Sequence, residues 1–126
     1  MKRPNNGWIV SASRLPTADD ADRWGMVFVW HTFQGVMLVH WTMVESNRYF
    51  SCWMQVRQGI RRKWVKASER VPTEDDGDMM HCVLAKDKHG KKSVTGWHQF
   101  GWNTSLIQWA ALPGPPENWH ELRKAE

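Results

Sequence analysis

The chain lacks any long apolar run, and none of its apolar stretches approaches the ~20 residues that a membrane-spanning helix requires, so no membrane partner is expected. Its start, MKRPNNGW, has basic residues with no apolar stretch behind them, which argues against a secretory signal and for a cytoplasmic protein. Cysteine is scarce. Cys52 and Cys82 are the only two, no C-x-x-C spacing occurs, and two buried free thiols are expected rather than a disulfide or a metal pair. Charge of one sign is also in short supply where it would matter. The net charge is +4 over 126 residues, but the folded segments 8–56 and 64–116 stand at −1 and 0. The excess sits on the arm 1–7, at +2, and on the connector 57–63, at +4, while the tail 117–126 is at −1. A protein that reads a duplex spreads basic residues over a face of its fold, and a mimic of DNA would be acidic. Neither description fits.

Recognisable catalytic spacing is missing as well. The histidines at 31, 40, 81, 89, 98 and 120 are dispersed, and no H-x-x-x-H, G-x-S-x-G or phosphate-loop pattern occurs. The reading from sequence is therefore a non-enzymatic protein, with no catalytic residues, no cofactor and no metal.

What is present is a duplication. WIVSASRLPTADDAD from Trp8 returns as WVKASERVPTEDDGD from Trp64, an offset of 56 residues that also relates Trp41 to Trp97 and Trp53 to Trp109. A common offset across aromatic, proline and acidic positions marks a repeated structural unit. The organisation expected is a basic arm (1–7), a first repeat (8–56), a basic connector (57–63), a second repeat (64–116) and a tail (117–126), folding as one cooperative domain. About 50 residues alone would bury only roughly 60% of their unfolded surface, so the copies are expected to share a core or to complete one another.

Each copy reads alike. Thr17-Ala18-Asp19-Asp20 and Thr73-Glu74-Asp75-Asp76 have the spacing of a capped helical turn, the Thr hydroxyl taking a free backbone N–H. Metal binding by these acids is less favoured, because the glycine and distal glutamate of a calcium loop are absent. Apolar runs then predict strands over 26–30, 36–43 and 49–56 in the first copy, and 81–85, 93–100 and 106–112 in the second, with Gly-containing reversals between. The tail after Pro113-Gly114-Pro115-Pro116 can hold one or two helical turns over 117–124. The fold class expected is mainly β: two tandem three-stranded antiparallel meanders with short capped turns, packed as a pseudo-symmetric pair.

The ten tryptophans sort by the repeat. Six occupy equivalent places and read as packing skeleton. Trp24, Trp30, Trp102 and Trp119 do not repeat. Of these, Trp24, Trp30 and Trp102, together with Phe33 at an uncharged hairpin tip, are the candidate anchors for a protein partner. Trp24 and Trp30 could equally cover the joint between the copies. Arg57, Arg61, Arg62, Lys63 and Lys91 are the candidate patch for phosphates or nucleic acid.

The pattern W-[IV]-x-x-S-x-[RK]-[LV]-P, at Trp8–Pro16 and Trp64–Pro72, with the closing I-x-W-x-x-L-P-x-P-P at 107–116, resembles a short Trp-rich domain of unknown function. Tailed phages and enterobacterial prophages carry that domain in accessory regions. The second copy matches at both ends, whereas the first ends in Cys52-Trp53-Met54-Gln55-Val56 without the prolines. The resemblance implies a phage context and transfers no functional residues. With it, the expected function is an interaction protein that binds and inhibits a host component, a defence or nuclease complex. Nucleic-acid or nucleotide binding is the alternative. A homodimer would cover exposed strand edges and surplus tryptophans, and oligomeric state stays open.

Overall fold

The structure, a computed structural model, describes residues 7–60, 63–117 and 119–124. The chain divides into two compact units, one comprising the residues up to Gly59 together with those from Gly114, the other Ile60–Pro113. The fold is mainly β, as the apolar patterning predicts, and each unit holds one four-stranded antiparallel sheet.

In the first unit the strands are β1 (Ile9–Val10), β2 (Met26–His31), β3 (Gly35–His40) and β4 (Phe50–Met54), in the order β1-β4-β2-β3. A short helix α1 (Val56–Gly59) follows β4. The second unit repeats the plan with β5 (Val65–Lys66), β6 (Cys82–Asp87), β7 (Lys92–Gly96) and β8 (Leu106–Ala110), in the order β5-β8-β6-β7. The tail ends in α2 (Trp119–Lys124), and from Gly114 onward it belongs with the first repeat.

Two details differ from a three-stranded meander. The opening dipeptides Ile9-Val10 and Val65-Lys66 form a fourth strand by pairing with Trp53-Cys52 and Trp109-Gln108. Two residues carry no readable periodicity, and only the partner strand makes them extended. The last strand of each copy also pairs with the first long strand instead of the second. The reason is apolarity on both faces: Val27, Phe28, Val29 and Trp30 are all fully buried. Alternate residues of a strand point to opposite faces, so β2 needs a central place, which β3 and β4 provide by flanking it. The strands expected to run to Met43 and Phe100 stop at His40 and Gly96, where single 3-10 turns, Trp41–Met43 and Trp97–Gly101, take over.

The repeated motif is explained by one hydrogen-bonded arrangement used twice. Asp20 accepts both guanidinium nitrogens of Arg14, at 3.0 and 3.2 Å, and the N–H and hydroxyl of Thr17, at 2.8 and 3.1 Å. Thr17 and Asp20 thus form the expected capping box, in which the carboxylate takes the Thr17 N–H and also accepts the Thr17 hydroxyl. Arg14 lies 4.8 Å over the Trp53 ring, and Trp53 Nε1 donates back to the Arg14 carbonyl at 2.7 Å. Arg70, Thr73, Asp76 and Trp109 reproduce each of these contacts. The next acid makes the turn into the long strand: Asp22 accepts from Trp24 and Met26 N–H, and Asp78 from Met80 and Cys82 N–H. Asp20 and Asp22, and with them Asp76 and Asp78, are therefore structural.

The first sheet is covered on both faces. Val27, Val29 and Trp53 pack with Val44 and Phe50 on one. On the other, α1 comes so close that a Cβ on Gly59 would stand 2.5 Å from the Phe28 ring. The tail closes over the same strand: Trp8 Nε1 donates to the Gly114 carbonyl at 2.7 Å, and Trp30 meets Trp8 and Trp119 at ring separations of 6.3 and 6.4 Å.

Candidate functional site

The four candidate anchors do not form one surface. Trp30 is fully buried between Trp8 and Trp119, so it belongs to the core and has nothing to offer a partner. Trp24 is 40% exposed and Phe33 45% exposed, but they stand at opposite ends of β2, roughly 20 Å apart at the rise of an extended strand. Phe33 also packs edge-on to Tyr49, with ring centres 5.7 Å apart. Trp102, in the second unit, is 67% exposed. Its Nε1 donates to Gln99 Oε1 at 3.0 Å, and its ring meets His98 at 5.4 Å, which holds the indole against the 3-10 turn while leaving most of it in solvent.

The candidate basic residues divide similarly. Arg61 and Arg62 lie outside the described residues. Arg57 stands on α1 in the first unit and bonds Gln55 Oε1 at 3.0 Å, whereas Lys63 and Lys91 are exposed in the second unit. Both cysteines are free, Cys52 buried and Cys82 half-buried. Burial pushes the Cys52 thiol up to about 11, which makes it a poor nucleophile at neutral pH.

A groove of about 650 Å³ opens in the second unit, floored by Val71, Phe100, Leu106 and Ile107 and edged by Lys66, Ser68, Asn103 and Gln108. Val71 and Ile107 are 47% and 43% exposed, so the groove presents apolar surface to solvent. In sequence Trp102 falls between two of its lining residues, Phe100 and Asn103, while its ring packs on His98 and Gln99 outside the lining. The first unit carries the same groove at the same offset, lined by Leu15, Val44, Phe50, Ser51 and Asn47, with a volume of about 430 Å³. The groove is thus a product of the fold: it lies between the opening motif and the loop that leads from the 3-10 turn into the last strand.

Its chemistry differs between copies. Phe50, Leu15 and Arg48 give way to the smaller Leu106, Val71 and Thr104, which widens the cleft. Ser51 gives way to Ile107, which makes the lining more apolar, and Ser46, outside the lining, gives way to Trp102. Sequence comparison of the copies singles out Trp102 but passes over Val71, Phe100, Leu106 and Ile107. Each of those lies at a position that reads as scaffold, and only the tertiary structure leaves them uncovered.

No protein-family model, curated protein or solved structure matches the chain. No helix among the described residues is long and apolar enough to cross a membrane.

Proposed function

We propose that this is a phage-encoded, non-enzymatic interaction protein that binds and inhibits a protein component of the bacterial host. The groove of the second unit is its contact surface and Trp102 its anchor. The observation that carries this reading is an apolar cleft open to solvent, with a 67%-exposed indole in the same loop as its lining residues Phe100 and Asn103. Exposed aromatic anchors flanking a pocket dominate the energetics of protein interfaces. Removing apolar surface from water is worth about 25 cal/mol per Å², which Trp102, Val71 and Ile107 together can supply. The phage context rests on the resemblance of the opening and closing motifs.

The first copy supplies the test. Trp102→Ser and Ile107→Ser install the residues that the first copy holds at these places. Affinity capture from host lysate with the full chain should return a partner that the double variant loses and that Phe33→Ser retains. Capture of the same partner by both variants would remove the groove from the reading.

A further inference from the structure

The second hairpin replaces a packed aromatic pair with a cation on an indole. In the first copy Trp8 and Trp30 meet edge to face at 6.3 Å. At the same places, Lys86 Nζ of the second copy lies 4.0 Å over the ring centre of Trp64. The residue directly across the ladder changes in the same sense, from Val36 opposite Trp30 to Lys92 opposite Lys86. Two ammonium groups therefore start from facing positions on adjacent strands, close enough for both side chains to reach one ligand atom group.

The rest of the hairpin adds charge without neutralising it. Lys88 and Lys91 are exposed on the turn, and Lys63 is exposed next to Trp64. The hairpin's one carboxylate, Asp87, turns inward: its Oδ1 accepts the His89 and Lys91 backbone N–H at 2.9 and 3.0 Å. Lys86 is half-buried and has no carboxylate partner among the described residues. Partial burial and the nearby Lys92 both lower its pKa, the sign of a cation held where a counter-ion would relieve it.

We infer that the Trp64–Lys86–Lys92 cluster is an anion site that takes phosphate groups, either of a nucleotide or of a nucleic-acid strand. Phosphate suits it better than a peptide carboxylate. A phosphate offers several acceptor oxygens to ammonium groups approaching from two strands, and a chain of phosphodiesters would continue along Lys88 and Lys91. The cluster uses other residues than the groove, although Lys86 shares a cross-strand row with Gln108 and Lys66, which edge it.

The test uses the full chain, with ATP and a labelled oligothymidine as separate probes and poly-glutamate as the carboxylate control. Binding of ATP would assign the site to nucleotides. Binding of oligothymidine alone, weakening steeply with salt, would assign it to a phosphodiester chain. In either case Lys86→Met with Lys92→Gln should weaken binding by about tenfold or more, the scale of losing charged hydrogen bonds. Lys88→Glu with Lys91→Glu, at the exposed tip, should weaken oligothymidine binding without touching the packed Trp64. Arg23→Gln with Arg48→Gln removes the same charge from exposed positions of the first unit and should leave affinity within about twofold. The proposal is overturned if neither phosphate probe binds, if the charge control loses as much as the Lys86 variant, or if poly-glutamate binds as tightly.

Discussion

Gly25 lies directly against the imidazole of His40: a Cβ on Gly25 would stand 2.5 Å from its Nε2. Gly25 also has φ +78°, and the second copy holds His81 at this position with φ 63°. There the facing residue is Gly96, across the same ladder pair that joins Met26 to His40. The glycine and histidine positions are thus exchanged between the copies, and in the second the ring that fills the space over Gly96 is that of His98, 2.6 Å from where its Cβ would stand.

This exchange sets a stability experiment. Gly25→Ala should cost roughly 1–3 kcal/mol, from overpacking and from a left-handed conformation that L side chains disfavour. Adding His40→Gly should recover the steric part, a non-additivity that a double-mutant cycle by urea unfolding reads directly. His81→Gly should instead stabilise by about 1 kcal/mol, raising Tm by a few degrees. A neutral Gly25→Ala would mean that the chain runs differently before β2.

Acid should weaken both units through Asp20 and Asp76. The Arg14 guanidinium, with the Thr17 and Gln55 donors, holds the Asp20 carboxyl well below the usual carboxylate range, and Arg70 with Thr73 lowers Asp76. A carboxylate whose folded pKa is depressed contributes stability that is fully present above its unfolded value of about 3.9 and is lost as pH falls through the folded value. Urea midpoints should therefore hold near neutrality and drop below about pH 4. Asp20→Asn should lower the midpoint at pH 7 and flatten that acid dependence. Its effect should exceed that of Asp76→Asn, because Asp20 is more buried and has Gln55 as an added donor.

The two thiols should react at different rates. Cys52 is buried and its pKa is raised to about 11, whereas Cys82 is half-buried with a smaller rise caused by burial and the Asp78 carboxylate. Thiolate is the reactive form, so iodoacetamide at pH 8 should label Cys82 slowly and Cys52 only after unfolding. Mass spectrometry of the peptides distinguishes them. Early labelling of Cys52 would contradict the packing around β4.

Two unrepeated tryptophans should behave as opposites. Trp30→Ala empties the space between Trp8 and Trp119 and should cost roughly 3–5 kcal/mol, whereas Trp102→Ala should stay within about 0.5 kcal/mol. Acrylamide quenching of tryptophan emission should fall in Trp102→Phe and be nearly unchanged in Trp30→Phe.

Much of this was legible in the residues. The strand-forming runs and the Thr-x-x-Asp turns depend on periodicity or on contacts within a few positions, and the 56-residue offset, with the structural standing it gives Trp53 and Trp109, is visible by laying one copy on the other. The role of Arg14 was only half visible: its pairing with Asp20 spans six residues, but its seat on Trp53 spans thirty-nine. Trp30 misled, because absence from the second copy suggested a surface role; Lys86 stands there instead, and the tail that buries Trp30 returns from position 114 onward.

By itself, then, the sequence determined that the protein is a duplicated β unit, and which local turns begin each copy, since short-range hydrogen bonding and side-chain alternation are written in neighbouring residues. Only the tertiary structure decided the strand order, the burial of Trp30, the open groove of the second unit and the cation on Trp64. Those follow from which distant segments come to lie over each face, and long-range burial has no signature at the position that is buried.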